Sequence, residues 1–189
     1  MQLLDDLLLY FQSKQNLDRC GIDNLYRNIC SRKLTSASES EEKIYMATIY
    51  DVAKYITRAY GEMSAMKLQK LMYYSQAWNL VWQESALFDE DFEAWANGPV
   101  LPSLYACHRG MFSVTSDLFS TGNIENIDHV QRMNIDKVLG FYGTQTAQWL
   151  SNLTHQEMPW LQARDGLAPG TISNQPIPKS AMHEYYSGL

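Results

Sequence analysis

The sequence predicts a mainly α domain of the α+β class, in which short amphipathic helices surround one long helix and a small β element. Three observations predict it. The segment "AMKLQKLMYYSQAWNLVWQ" holds a helical apolar stripe through Leu68, Leu71, Met72, Ser75, Trp78 and Trp82. Helix-start signals stand ahead of several periodic segments, at Thr48, Ser64 and Asp128. The apolar stretch "FEAW", bounded by acidic residues and Gly98-Pro99, is too short for a helix and alternates as a strand does.

The elements follow in chain order. Leu3, Leu4, Leu7, Leu8 and Phe11 lie near helical spacing, and Ile22, Leu25, Tyr26 and Ile29 repeat it. These form a short helical N-terminal arm. The Ser- and charge-rich stretch "SRKLTSASESEEK" reads as a linker, which divides the chain into residues 1–45 and 46–189. Thr48 with Asp51 three residues on makes a capping box for a helix carrying Ile49, Val52, Ala53 and Ile56. Ser64 caps the long central helix, whose Met and aromatic residues read as core.

Gly98 permits a backbone angle that other residues avoid, and Pro99 biases its neighbour toward extended geometry. Pro102 suits the first turn of "PSLYACHR", and Gly110 ends it. Gly98, Pro99 and Pro102 are therefore assigned to a structural corner. Residues 111–127 read as loop with short strands. Asp128 opens a helix with Val130, Met133, Val138 and Leu139, and Thr144 caps another with Ala147, Leu150 and Leu153. "THQEMPW" reads as a turn, "TISNQPIP" as extended pieces and "KSAMHEYY" as a final short helix.

Composition narrows the function. With 15 Lys and Arg against 21 Asp and Glu, the net charge is −6, a poor match to the phosphate backbone. Residues 1–45 carry no helix-turn-helix pattern either, so a DNA partner is not expected. Three cysteines without a C-x-x-C pair fit free thiols and a reducing compartment. The opening "MQLLDDLLLY" is acidic where a signal peptide is basic, and no apolar run has membrane-spanning length. A cytoplasmic protein without a membrane partner is expected.

No phosphate-binding glycine loop, nucleophile elbow or zinc-protease helix occurs. The four histidines are scattered, and Cys107 and His108 are adjacent, so they point about 100° apart on a helix. Neither a catalytic residue, a metal nor a cofactor is assigned, and no enzyme is expected.

The remaining candidates suit docking. From Leu71 to His108 there is no Lys or Arg, while Glu84, Asp89, Glu90, Asp91 and Glu93 fall in that window. It reads either as a solvated acidic loop or as a patch for a basic partner. Trp95, Asn97, Tyr105 and Arg109 read either as packing around the corner or as interface anchors, the role Trp, Tyr and Arg most often fill.

Taken together, "KLQKLMYYSQAWNL", "LFDEDFEAWANGPVLPSLY", "DVAKYI", "LSNLTHQEMPWLQAR" and the closing "TIS" and "HEYY" resemble the Panacea domain, also called the SocA-like antitoxin domain, and its phage-associated GepA-like members. The resemblance covers about Ala47 to Tyr186 and leaves out residues 1–45. It implies a mainly helical domain with a small antiparallel β element. It also implies an antitoxin that neutralises a toxin, encoded by the adjacent gene, through direct stoichiometric binding. A further implied role is that of an adaptor delivering the toxin to a AAA+ protease. The rival from another class is an enzyme of unrecognised type.

Overall fold

The computed structural model describes residues 46–168 and 170–189. The helices expected within 1–45, together with Cys20 and Cys30, lie outside the described residues. The described elements run α1 (Ile49–Tyr60), β1 (Met63–Ser64), α2 (Ala65–Gln83), β2 (Phe92–Trp95), β3 (Gly98–Val100), α3 (Pro102–His108), β4 (Ser113–Val114), two 3-10 turns (Ser116–Phe119 and Ile124–Asn126), α4 (His129–Tyr142), α5 (Ala147–Thr154), α6 (Met158–Arg164), β5 (Pro176–Ile177) and α7 (Lys179–Ser187). The fold is mainly α with two small antiparallel sheets, one pairing β1 with β4 and one ordered β3-β2-β5.

Local chemistry sets most helix starts. Thr48 and Asp51 form the expected capping box on α1, and Ser64 accepts from Lys67 N at the start of α2. Asp128 and Gln131 form a second capping box on α4. Asp51 also joins α1 to the second 3-10 turn, because its carboxylate accepts from Asn123 N and Asn126 Nδ2.

Two boundaries differ from expectation. The cap of α5 is Thr146, whose hydroxyl accepts from Trp149 N, whereas Thr144 turns back to Phe141 O. Both threonines precede the same apolar run, and the helix begins at the one whose oxygen reaches its third amide. "THQEMPW" is not a turn throughout. Its last three residues open α6, with Pro159 in the first turn, where its missing N–H costs nothing.

Helix α2 is the centre of the fold, and α4 and α7 pack most extensively against it. The sequence suggests a single apolar face, but the structure buries α2 on all sides from Leu68 to Leu80. Its buried amides Gln69, Gln76 and Asn79 each bond to backbone of a neighbouring segment. Gln76 accepts from Leu87 N at 2.8 Å and donates to Phe88 O at 2.9 Å. Asn79 donates to Ser85 O at 2.9 Å and accepts from Asn134 Nδ2 at 3.0 Å. Buried amides used this way satisfy the backbone of an irregular segment that has no sheet partner.

One end of the core is aromatic. Tyr74 stacks on Tyr142 with ring centroids 4.0 Å apart, and Trp78 Nε1 donates to the Tyr142 hydroxyl at 3.0 Å. Glu157 is the N-cap residue of α6 but does not cap it. Its carboxyl turns inward and accepts from Tyr186 at 2.7 Å and Tyr74 at 3.2 Å, tying α2, α6 and α7 together.

Among the described residues, the core draws on residues 47 to 186. A fragment of residues 46–189 is therefore expected to fold by itself, with a helical circular dichroism spectrum and a cooperative melt. A random-coil spectrum from that fragment would refute the division at residue 45.

Candidate functional site

Strands β2 and β3 form a hairpin with Trp95 opposite Gly98 and Ala96-Asn97 at its tip. Gly98 has φ +100°, a left-handed value that favours glycine. The hairpin carbonyls are taken up by side chains from three helices. Lys70 Nζ on α2 donates to Pro99 O at 3.0 Å, and Ser151 Oγ on α5 to Asn97 O at 3.0 Å. Trp160 Nε1 on α6 donates to Trp95 O at 3.0 Å, and Arg164 Nη1 to Ala94 O at 2.9 Å. Gln69 brackets the next residue, accepting from Leu101 N at 2.9 Å. Pro102 then opens α3 in its first turn. Gly98, Pro99 and Pro102 thus stand in a corner whose backbone is fastened from the core.

Lys70 is only 1 % exposed, and burial pulls its ammonium down to about 7. His155 stacks on Trp160 with centroids 4.3 Å apart. Its Nε2 is buried and has no hydrogen-bond partner among the described residues. Burial, then the charges of Lys70 and Arg164, lower its pKa.

On the outer side of the hairpin lies an open cleft of about 600 Å³, bounded by α2, the hairpin, α3 and residues 172–174. Glu93, Trp95, Asn97 and Tyr105 all line it, so four of the candidate docking residues meet in one place. Trp95 and Tyr105 meet edge to face at 4.9 Å, and Trp95 Nε1 donates to Glu93 Oε2 at 2.6 Å. Both rings are half-buried. His108 closes the inner wall, accepting at Nε2 from Gln69 Nε2 at 3.0 Å. Burial lowers its pKa, in keeping with a neutral ring that accepts there.

The other candidates sit apart from the cleft lining. Asp91 pairs with Lys179 at the start of α7, and the same ammonium donates to Asp89 O at 2.7 Å. Asp91 therefore has a structural partner, while the Asp89 side chain is exposed. Glu90 lies near Tyr50, whose phenol is pushed up by burial, by Cys107 and by the Glu90 charge. Arg109 is exposed just beyond α3.

Sequence reasoning missed Gln69, Lys70 and His108, and it missed Met111 and Ile172 at the mouth of the cleft. The polar residues on "KLQKL" gave no signal, since a helix buried on one face would show the same residues turned to water. Met111 and Ile172 lie in irregular segments, where periodicity carries no information.

Among the described residues no three His, Cys, Asp or Glu side chains group closely enough to hold a metal ion. Nor is any described helix long and apolar enough to cross a membrane. Residues 68–161 match the family model described as "Antitoxin SocA-like, Panacea domain". The matched span begins inside α2, contains the hairpin and α5, and ends inside α6. No curated protein and no solved structure matches the chain.

Proposed function

The chain belongs, through residues 68–161, to the SocA-like antitoxin Panacea family, and we propose that it neutralises a partner toxin by direct, stoichiometric binding. An antitoxin role is what the family suggests. Direct binding is the finer reading, and the cleft carries it. A half-buried aromatic pair, Trp95 with Tyr105, stands on a hairpin fastened from behind by three helices. Rigid, partly exposed aromatics beside a cleft are the side chains that anchor protein interfaces. Preorganisation keeps the ordering cost of association low.

The acidic residues have a separate role in this reading. Exposed negative charge steers a basic toxin and speeds association, whereas buried aromatic contacts slow release. The partner is expected to be the product of the adjacent gene.

The test is titration of that toxin with the purified protein. Protection is expected to saturate at a fixed molar ratio. Charge reversal at Asp89 and Glu90 is expected to slow association severalfold at low salt and to have less effect at high salt, as screening requires. Asp91 is left intact because its reversal would also break the pair with Lys179. Full protection at a small fraction of the toxin concentration would instead favour an enzyme. Protection only with an added AAA+ protease would favour the adaptor role.

A further inference from the structure

We propose that the cleft takes one large apolar side chain of the bound toxin, and that a lysine or arginine beside that side chain pairs with Glu93. This inference rests on the antitoxin reading above and assigns the part of the partner that the cleft recognises.

The walls select an apolar group. Val100, Tyr105, Trp95 and Met66 line the cleft. Two further apolar side chains stand at its mouth, Met111 at 50 % and Ile172 at 93 % exposure. A small molecule held within the cleft would leave Ile172 in water. A protein partner seated over the mouth covers the interior and the rim together, which a large exposed apolar side chain beside a pocket favours.

The charge beside the walls selects the neighbour. Two charged residues line the cleft, Lys70 and Glu93. Lys70 is buried, and its ammonium is engaged by Pro99 O behind the hairpin. Glu93 is half-exposed, and one of its oxygens receives Trp95 Nε1. Its other oxygen makes no hydrogen bond among the described residues. An approaching surface therefore meets one free carboxylate oxygen next to an apolar opening. No Lys or Arg occurs from Leu71 to His108, so no cation within that segment competes for it. An ammonium or guanidinium from the partner completes the carboxylate. Trp95 is already oriented by Glu93 and Tyr105, so the wall is in place before the partner arrives.

The experiment measures affinity for the toxin from the adjacent gene, using the full chain and three variants. Ile172→Glu changes an exposed position and places a charge at the mouth. Glu93→Gln keeps an acceptor for Trp95 Nε1 and removes the charge. Val130→Glu, on α4 and outside the cleft lining, is the control. Ile172→Glu is expected to weaken binding by about tenfold or more, the scale of an interface anchor. Glu93→Gln is expected to weaken it about fivefold at low salt and less at high salt. The control is expected to bind as the parent does. All melting temperatures are expected to stay close to the parent value, and Ile172→Ser replaces Ile172→Glu if that variant does not fold. Unchanged affinity in both the Ile172 and Glu93 variants would overturn the cleft assignment and leave the antitoxin reading standing. Failure of the parent to bind or to protect against the toxin would overturn the antitoxin reading, and this inference with it.

Discussion

Gly98→Val is expected to destabilise the domain by about 4 kcal/mol, measured as a shift in chemical or thermal unfolding. Two costs add. A β-branched residue at φ +100° is strained by about 1–3 kcal/mol. A Cβ at this position would also lie 2.5 Å from Lys70 Nζ and 2.7 Å from Thr154 Oγ1. Lys70 must then move from Pro99 O, leaving a buried carbonyl unsatisfied at about 1–3 kcal/mol. The Lys70 tip can swing aside only by giving up Pro99 O, while Thr154 is set by α5. Gly98→Ala in a Lys70→Met background separates the two costs. The shorter uncharged side chain removes the contact with Lys70 Nζ and has no bond to Pro99 O left to lose, while the Thr154 Oγ1 contact and the φ strain remain, so the two substitutions are expected to be less than additive. An unchanged melting curve for Gly98→Val would refute the corner assignment.

The stability of the domain is expected to pass through a minimum near pH 7. Burial raises the carboxyl of Glu157 to about 7, against the opposing hydrogen bonds from Tyr186 and Tyr74. The folded chain thus holds a proton that the unfolded chain loses near 4.5. Stability from this group is fully present below pH 4.5 and is lost as pH rises to 7, by about 3 kcal/mol. Lys70 acts with the opposite sign. Its ammonium is lowered from 10.5 to about 7 by burial, so the unfolded chain binds the extra proton. Its contribution is fully present above pH 10.5 and is lost as pH falls to 7, by about 5 kcal/mol. Asp51, held low by its hydrogen bonds despite burial, acts only below its ordinary 3.8 and does not enter this window, whereas His108 and His155, both lowered by burial, favour the folded chain as pH rises toward 6.5 and offset part of the Glu157 fall.

Unfolding in denaturant at pH 5, 7 and 9 checks both slopes. Glu157→Gln keeps an oxygen to accept from the tyrosines and carries no titrating proton. It is expected to remove the fall between pH 5 and 7 and to leave the rise above pH 7. Lys70→Met is expected to remove that rise and to leave the fall. A parent profile that is flat from pH 5 to 9 would show that neither group is titrating as the fold implies.

The sequence by itself determined the features that local chemistry controls. The capping box at Thr48, the helix start at Asp128, the Ser64 cap, the strand at Phe92–Trp95, the positive φ of Gly98 and the helix opened by Pro102 were all legible, because each depends on residues within a few positions of one another. The mainly α class follows from those elements, and the family from several ordered segments read together. Tertiary structure alone decided what lies far apart in sequence. Gln69 and Lys70 fasten a hairpin about 30 positions away, Trp160 and Arg164 fasten the same hairpin from α6, and Glu157 joins tyrosines of α2 and α7. Periodicity placed the polar residues of α2 without saying what they face, since a buried amide and a solvated one have the same spacing. The cleft was invisible for the same reason. Its walls come from α2, the hairpin, α3 and residues 172–174, and only packing brings Ile172 to the same cleft as Trp95 and Tyr105.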